Sequence, residues 1–291
     1  MPPDKPSFDL TSQPWIPVID ADGQTRDVSL SEALLGSHEI LDLVVETPTL
    51  EPPLLRMMLA ILSRAFNGPA TLDDWESLWK GNTLPTEPLH TYLGTWRHSF
   101  DLFDLEAPFM QAAGLQSDKG DTKSTAALLP HWPTGHNAPL FILATADQAP
   151  ALTPAEAARW LLHLHAWDTA GLKTAAHDDP TSKGRSYGNP TGPLGSMNVV
   201  IPKGKNLRET LLLNLIPRDQ PVLVFSSDDL PVWERPPMTG VWAPERTANG
   251  PCEVFTWPSR RVRLIPHQTT ARDVRVAEVV VTGGDRLDPA H

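Results

Sequence analysis

One cysteine, Cys252, is all that 291 residues contain. A lone thiol excludes an intrachain disulfide and any zinc site built from a cysteine cluster. Long apolar runs are missing as well. Nothing approaches the ~18 consecutive apolar residues of a membrane span, and the opening MPPDKPSFDL lacks a signal peptide's apolar core. A cytoplasmic protein without membrane contact is expected. Positive charge is also scarce: the net charge is −11, which argues against a protein that coats nucleic acid indiscriminately. The imbalance is local. Residues 1–120 hold 18 acids and 7 bases, and the remainder holds 17 of each, so a basic site on the second half stays open.

The familiar catalytic signatures are absent too. The string G-x-S-x-G does occur at 184–188, but in a loop-like stretch without the strand before it and the helix after it that a nucleophile elbow requires; there is no G-x-x-x-x-G-K-[ST] and no convincing G-x-G-x-x-G. His163 and His165, with Asp168 and His177 nearby, resemble a metal pair. Residues two apart on a helix point to different faces, however, so these two cannot chelate together. The carboxylate pairs Asp73-Asp74, Asp178-Asp179 and Asp228-Asp229 sit in polar stretches and read as caps or turns. No catalytic residue, metal or cofactor is expected.

What the chain has is proline. Thirty-one prolines with 40% hydrophobic residues indicate a loop-rich α+β fold, with irregular mixed sheets and peripheral helices. PWIPVI predicts a strand over 15–19, turning at Asp22-Gly23. Ser29-Leu30-Ser31-Glu32 is a capping box before a short helix stopped by Gly36. After Pro52-Pro53, residues Leu54, Met58, Ile61, Leu62, Ala65 and Phe66 fall on one face of a helix that Gly68 ends. A helix over 71–79 places Trp75 and Trp79 four apart, as core residues. Further helices are expected over 92–103, from the Thr153-Pro154-Ala155-Glu156 capping box to Trp167, and from Asn206 to Ile216. Residues 117–125 read as a polar, mobile segment, and 128–142 as a loop carrying Trp132, His136 and Asn137. Strands are expected over 222–225, 252–257, 261–265 and 274–281. No internal repeat or linker divides the chain.

Residues 165–208 stand apart. They run through a long Gly-, Pro- and Ser-rich segment to an apolar, strand-like piece over 197–201. Between Lys173 and Arg208, six bases, Lys173, Lys183, Arg185, Lys203, Lys205 and Arg208, face only two acids, Asp178 and Asp179. Long loops in compact domains are commonly functional or disordered. Lys183-Gly184-Arg185-Ser186-Tyr187-Gly188 brings cations, hydroxyls and close-approach glycines together, as phosphate contact requires. A nucleic-acid-contacting loop and a solvated surface loop both fit.

Five segments in order, FDLTSQPWIPV, FDLFDLEAPFMQ at 100–111, LLPHWPTGHNAPLF at 128–141, HAWDTAGLK at 165–173 and LRETLLLNLIP at 207–217, resemble the large subunit of the type I-E CRISPR surveillance complex Cascade, the CasA family. The resemblance implies a non-catalytic subunit that recognises the protospacer-adjacent motif in duplex DNA, from the minor groove. Guide pairing then supplies sequence specificity. The implied DNA-contacting residues are Lys183, Gly184, Arg185, Ser186, Tyr187 and Gly188, with Lys173 beside them. Asn137, Leu140 and Phe141 fall on the segment that docks near the RNA end or other subunits. Implied partners are CRISPR RNA, the other Cascade subunits, double-stranded target DNA and a recruited nuclease-helicase or other effector. The chain departs from the family in lacking the cysteines that ligate zinc in some members. The family's C-terminal helical bundle has no counterpart up to His291, so 1–291 is expected to form the large N-terminal domain. The alternative is a structural adaptor of a variant Cascade that does not itself read DNA.

Overall fold

The computed structural model describes residues 6–134, 141–180, 188–220, 225–243, 245–270 and 273–288. β1 (Ile16–Asp20) turns through Gly23, at φ 77°, into β2 (Thr25–Val28). β3 (Ile40–Leu43) pairs with the other edge of β1, giving an antiparallel order β2-β1-β3. Between β2 and β3 lies α1 (Leu30–Leu35). Its capping box forms as expected: Ser29 Oγ accepts from the Glu32 amide, and the Glu32 carboxylate accepts from the Ser29 amide.

The remaining helices are α2 (Glu51–Ala65), α3 (Leu72–Lys80), α4 (Thr86–Trp96), α5 (Pro154–Trp167), α6 (Leu207–Asn214) and α7 (Pro251–Phe255). α2 is the centre of the core. Leu54, Met58, Ile61 and Leu62 of its expected stripe are buried, with Ala65 and the following Phe66 half-buried, but Leu55, Met57, Leu59 and Ala60 on its other sides are buried too. The reason is that α4, α5, α6 and α7 all pack against it, so little of it is left to face water. Around it gather Trp15, Phe100, Phe109, Trp233 and Trp257, all buried.

Two further sheets complete the fold. β7 (Arg260–Thr270) and β8 (Asp273–Gly283) form a long antiparallel hairpin, with β4 (Lys123–Ser124) on the outer edge of β8. β5 (Gly171–Leu172) and β6 (Gly188–Asn189) make a two-residue ribbon.

Several local expectations differ from the structure. Residues 252–257 are not a strand: 252–255 belong to α7, because the Asp229 carboxylate accepts from the Cys252 and Glu253 amides and caps a helix there. Residues 197–201 form no strand, and Met197 and Val200 lie exposed. The helix expected from residue 92 starts at Thr86 and gives way to a 3-10 turn after Trp96. α6 ends at Asn214, two residues before Ile216. Trp75 and Trp79 are stacked, 5.3 Å between ring centroids, yet only half-buried. Trp75 Nε1 donates to the Leu212 carbonyl at 2.8 Å and seats α3 on α6, while Trp79 packs against the edge of the core. Residues 117–125 are held at both ends, by a Ser117–Ala176 bridge and by β4. Of the strand expected over 222–225, residues 222–224 lie outside the described residues.

Candidate nucleic-acid interface

The long segment after α5 is built on a clamped base. Asp168 ends α5, and β5 and β6 pair Gly171 with Asn189 and Leu172 with Gly188, so this ribbon forms the base of the segment 173–187, of which 173–180 is described. Below the ribbon the returning chain runs against the end of α5. The Gly192 amide donates to the Asp168 carbonyl and the Leu194 amide to the Ala166 carbonyl, both at 2.9 Å. This contact requires glycine at 192. A Cβ there would stand 2.7 Å from the His165 carbonyl oxygen and closer still to Ala166.

Arg260, at the start of β7 and 1% exposed, holds the two stems together. Its Nε donates to the Asp168 carboxylate at 2.5 Å, and Nη1 to the Ser259 carbonyl at 2.6 Å. Nη2 reaches the Thr169 carbonyl at 3.1 Å on the outgoing stem and the Pro190 carbonyl at 2.8 Å on the returning one. Arg261, next along the strand, points to the opposite face. It donates to the Asp285 carboxylate at 2.6 Å and to the Thr239 carbonyl at 3.0 Å. On the returning side, Asn189 Oδ1 accepts from the Gly284 amide at 3.3 Å, and the Gly188 carbonyl accepts from Arg286. The outgoing chain is tied down too: the Asp118 amide donates to the Ala175 carbonyl, and the His177 amide to the Gln116 carbonyl, both at 3.0 Å.

The basic residues of this stretch divide by role. Lys173 Nζ lies 2.7 Å from Asp168, so its charge serves the base and is not free for phosphate. Lys203 bridges Asp42, at 2.6 Å, and Glu51. Arg208 donates to the Leu78 and Trp79 carbonyls at the end of α3. Among the described bases of the stretch, only Lys205 lacks a side-chain partner. Lys183, Gly184, Arg185, Ser186 and Tyr187 lie outside the described residues. Gly188 is described and exposed; a Cβ on it would meet only Gly171, at 3.9 Å.

Of the second group, Asn137 and Leu140 lie outside the described residues. Phe141 follows them with φ 65°, 99% exposed, and Leu143 is 98% exposed. Two large apolar side chains in water mark a surface that suits a partner. The two histidines diverge as their spacing requires. His163 Nε2 meets Thr49 Oγ1 at 3.0 Å, and His165 Nε2 meets the Met110 carbonyl at 2.9 Å. Burial pushes the pKa of each down to about 4.

A family model described as CRISPR-associated protein Cse1 matches residues 9–291. The chain belongs to the Cse1 family. CRISPR-associated protein CasA/Cse1 of Thermus thermophilus is 35% identical over 303 residues, covering 96% of this chain and 56% of that protein. The crystal structure of Thermobifida fusca Cse1 is 38% identical with a TM-score of 0.88, over 98% of this chain and 53% of that one. A chain of a CRISPR RNA-guided surveillance complex, pre-nicking, is 25% identical with a TM-score of 0.77, over 97% and 56%. The chain thus spans a little over half the length of its Cse1 relatives. The expected loop-rich α+β fold with peripheral helices is the Cse1 fold, and its sheets are small and antiparallel. Arg260 and Arg286, which hold the ribbon in this member, were not singled out from sequence. The one signal near Arg260 was the strand expected over 261–265, which starts directly after it.

Proposed function

We propose that this Cse1 chain is a non-catalytic part of a type I-E Cascade complex, where it recognises the protospacer-adjacent motif and helps engage target duplex. The clamped base under the 173–187 loop, in a member of the Cse1 family, carries this reading. A loop that must enter a groove benefits from rigid stems, because less order is lost on binding. Gly184 and Gly188 allow close backbone approach, and Lys183 and Arg185 supply the phosphate contacts. Lys173 is reassigned from phosphate contact to support of the base. Phe141, with Asn137 and Leu140, serves docking toward the RNA end or neighbouring subunits.

The test is binding of assembled complexes to a panel of flanking motifs at two or more salt concentrations. Gly184→Asp and Gly188→Asp place a negative charge against the duplex, and each should weaken binding to motif-bearing DNA. For Gly188→Asp the melting temperature should hold, since the added Cβ has room. Lys183→Ala and Arg185→Ala should lower affinity evenly across motifs and make the salt slope shallower by about one unit per contact. Unchanged binding and motif preference in both glycine variants would favour the adaptor reading instead.

A further inference from the structure

Gly188 receives the chain as it returns from the segment 173–187, and it has no side chain by which to be held. Its place is set through its backbone. β5 lies on one side of it, through the pairing with Leu172, and Arg286 on the other, donating from Nη2 to its carbonyl. A two-residue ribbon is too short to keep its own register. The outer contact, from a residue 98 positions further along the chain, therefore decides where residue 188 sits.

Arg286 is itself fixed. Its amide donates to the Ala243 carbonyl at 3.2 Å, and its carbonyl accepts from the Arg246 amide at 3.0 Å. Its guanidinium lies 5.6 Å from the ring of Trp242, which is 8% exposed. The same indole borders the end of β8 together with Asn189: a Cβ on Gly283 would meet Asn189 Nδ2 at 3.0 Å and Trp242 Cε2 at 3.2 Å. Asn189 is buried against this strand end, and one step closer to the loop Gly188 depends on the half-buried Arg286. Arg260, by contrast, joins the stems from a buried position, so the two arginines divide stability from placement.

We propose that Arg286 is a positioning residue for motif reading: by holding the Gly188 carbonyl it sets how closely the glycine backbone of the loop approaches the duplex. It governs which flanking motifs are accepted without touching DNA. This rests on the DNA-contacting reading of the loop proposed above. Without the contact, residue 188 samples several positions, order must be regained on binding, and the fit to any one motif loosens.

Assembled complexes carrying Arg286→Ala, Arg286→Lys or Gly188→Asp are compared on the panel of flanking motifs at several salt concentrations. Amide exchange over 171–189 is measured without DNA. For Arg286→Ala, binding to the preferred motif should fall about tenfold, the low end for one hydrogen bond to a charged group, with discrimination among motifs reduced alongside. The ribbon amides should exchange faster, the melting temperature should stay within about 2 °C, and the salt slope should hold, since no phosphate contact is lost. Arg286→Lys should recover part of the discrimination, because the ammonium can also donate to the carbonyl. A salt slope shallower by about one unit, with discrimination intact, would make Arg286 a phosphate contact and overturn the assignment. So would wild-type discrimination in Arg286→Ala. If Gly188→Asp is impaired in that same experiment, only the positioning role falls; if Gly188→Asp also binds normally, the reading of the loop falls with it.

Discussion

Arg260→Met removes the clamp on the loop base while keeping most of the side chain's length and apolar bulk. The guanidinium it replaces makes one contact to a carboxylate, at 2.5 Å, and carbonyl contacts to Ser259, Thr169 and Pro190 at 2.6, 3.1 and 2.8 Å. Hydrogen bonds to a charged group contribute about 1.5–3 kcal/mol each, so adding them would overstate the loss. Two features reduce it. Lys173 stays 2.7 Å from Asp168, so that carboxylate keeps a cation. The freed carbonyls of Thr169 and Pro190 lie on stems that can open to water. Removing one partner of a buried ion pair costs about 3–5 kcal/mol, and with Lys173 in place the low end, about 3 kcal/mol, is expected. For a chain of this size that lowers the melting temperature by roughly 6 °C. Urea unfolding measures the global loss, and amide hydrogen exchange locates it. The Gly192 and Leu194 amides should exchange about tenfold faster than the global loss alone explains, while amides within α2 follow global stability. In an Arg260→Met, Asp168→Asn cycle the two losses should be less than additive. A loss under about 1 kcal/mol, with Gly192 and Leu194 exchange unchanged, would show that the base is held by something else.

Gly192→Ala should destabilise by about 1–3 kcal/mol, because its Cβ would meet the backbone of His165 and Ala166, which cannot turn aside as a side chain can; thermal melting reads this, and a neutral result would mean the stems separate easily. Stability should also fall toward acid through His163 and His165, whose folded pKa values near 4 lie below the unfolded value of about 6.5. Above that value both states are neutral and nothing changes; between about 6.5 and 4 only the unfolded chain gains protons, at up to about 1.4 kcal/mol per pH unit for each ring. Melting curves in gluconate buffer from pH 7 to 4.5 check the sign, and His163→Gln should flatten the slope, since the amide can keep the bond to Thr49; a stability that rises toward acid would refute it.

Much of the local structure was legible in the chain. Capping boxes at Ser29 and Thr153, the Asn206 cap, the Gly23 turn and the apolar run after Pro52-Pro53 each act through groups within a few residues, and each forms where expected. The His163/His165 spacing likewise foretold that the rings would part. What only the tertiary structure decided depends on distant partners. Residues 252–257 read as a strand because Val254 and Phe255 favour one, yet the Asp229 carboxylate caps a helix there from 23 and 24 residues upstream. Local propensity cannot register a cap supplied from so far away. Charge behaves the same way. Lys173, Lys203 and Arg208 look like one basic stretch in sequence, but folding gives them to Asp168, to Asp42 and Glu51, and to the carbonyls ending α3. Arg56 is the converse: a base on an apolar helix that meets no carboxylate among the described residues and lies over the Phe255 ring of α7 instead. A sequence determines which residues carry charge; which of those charges remain free is settled by what the fold brings within about 4 Å of them.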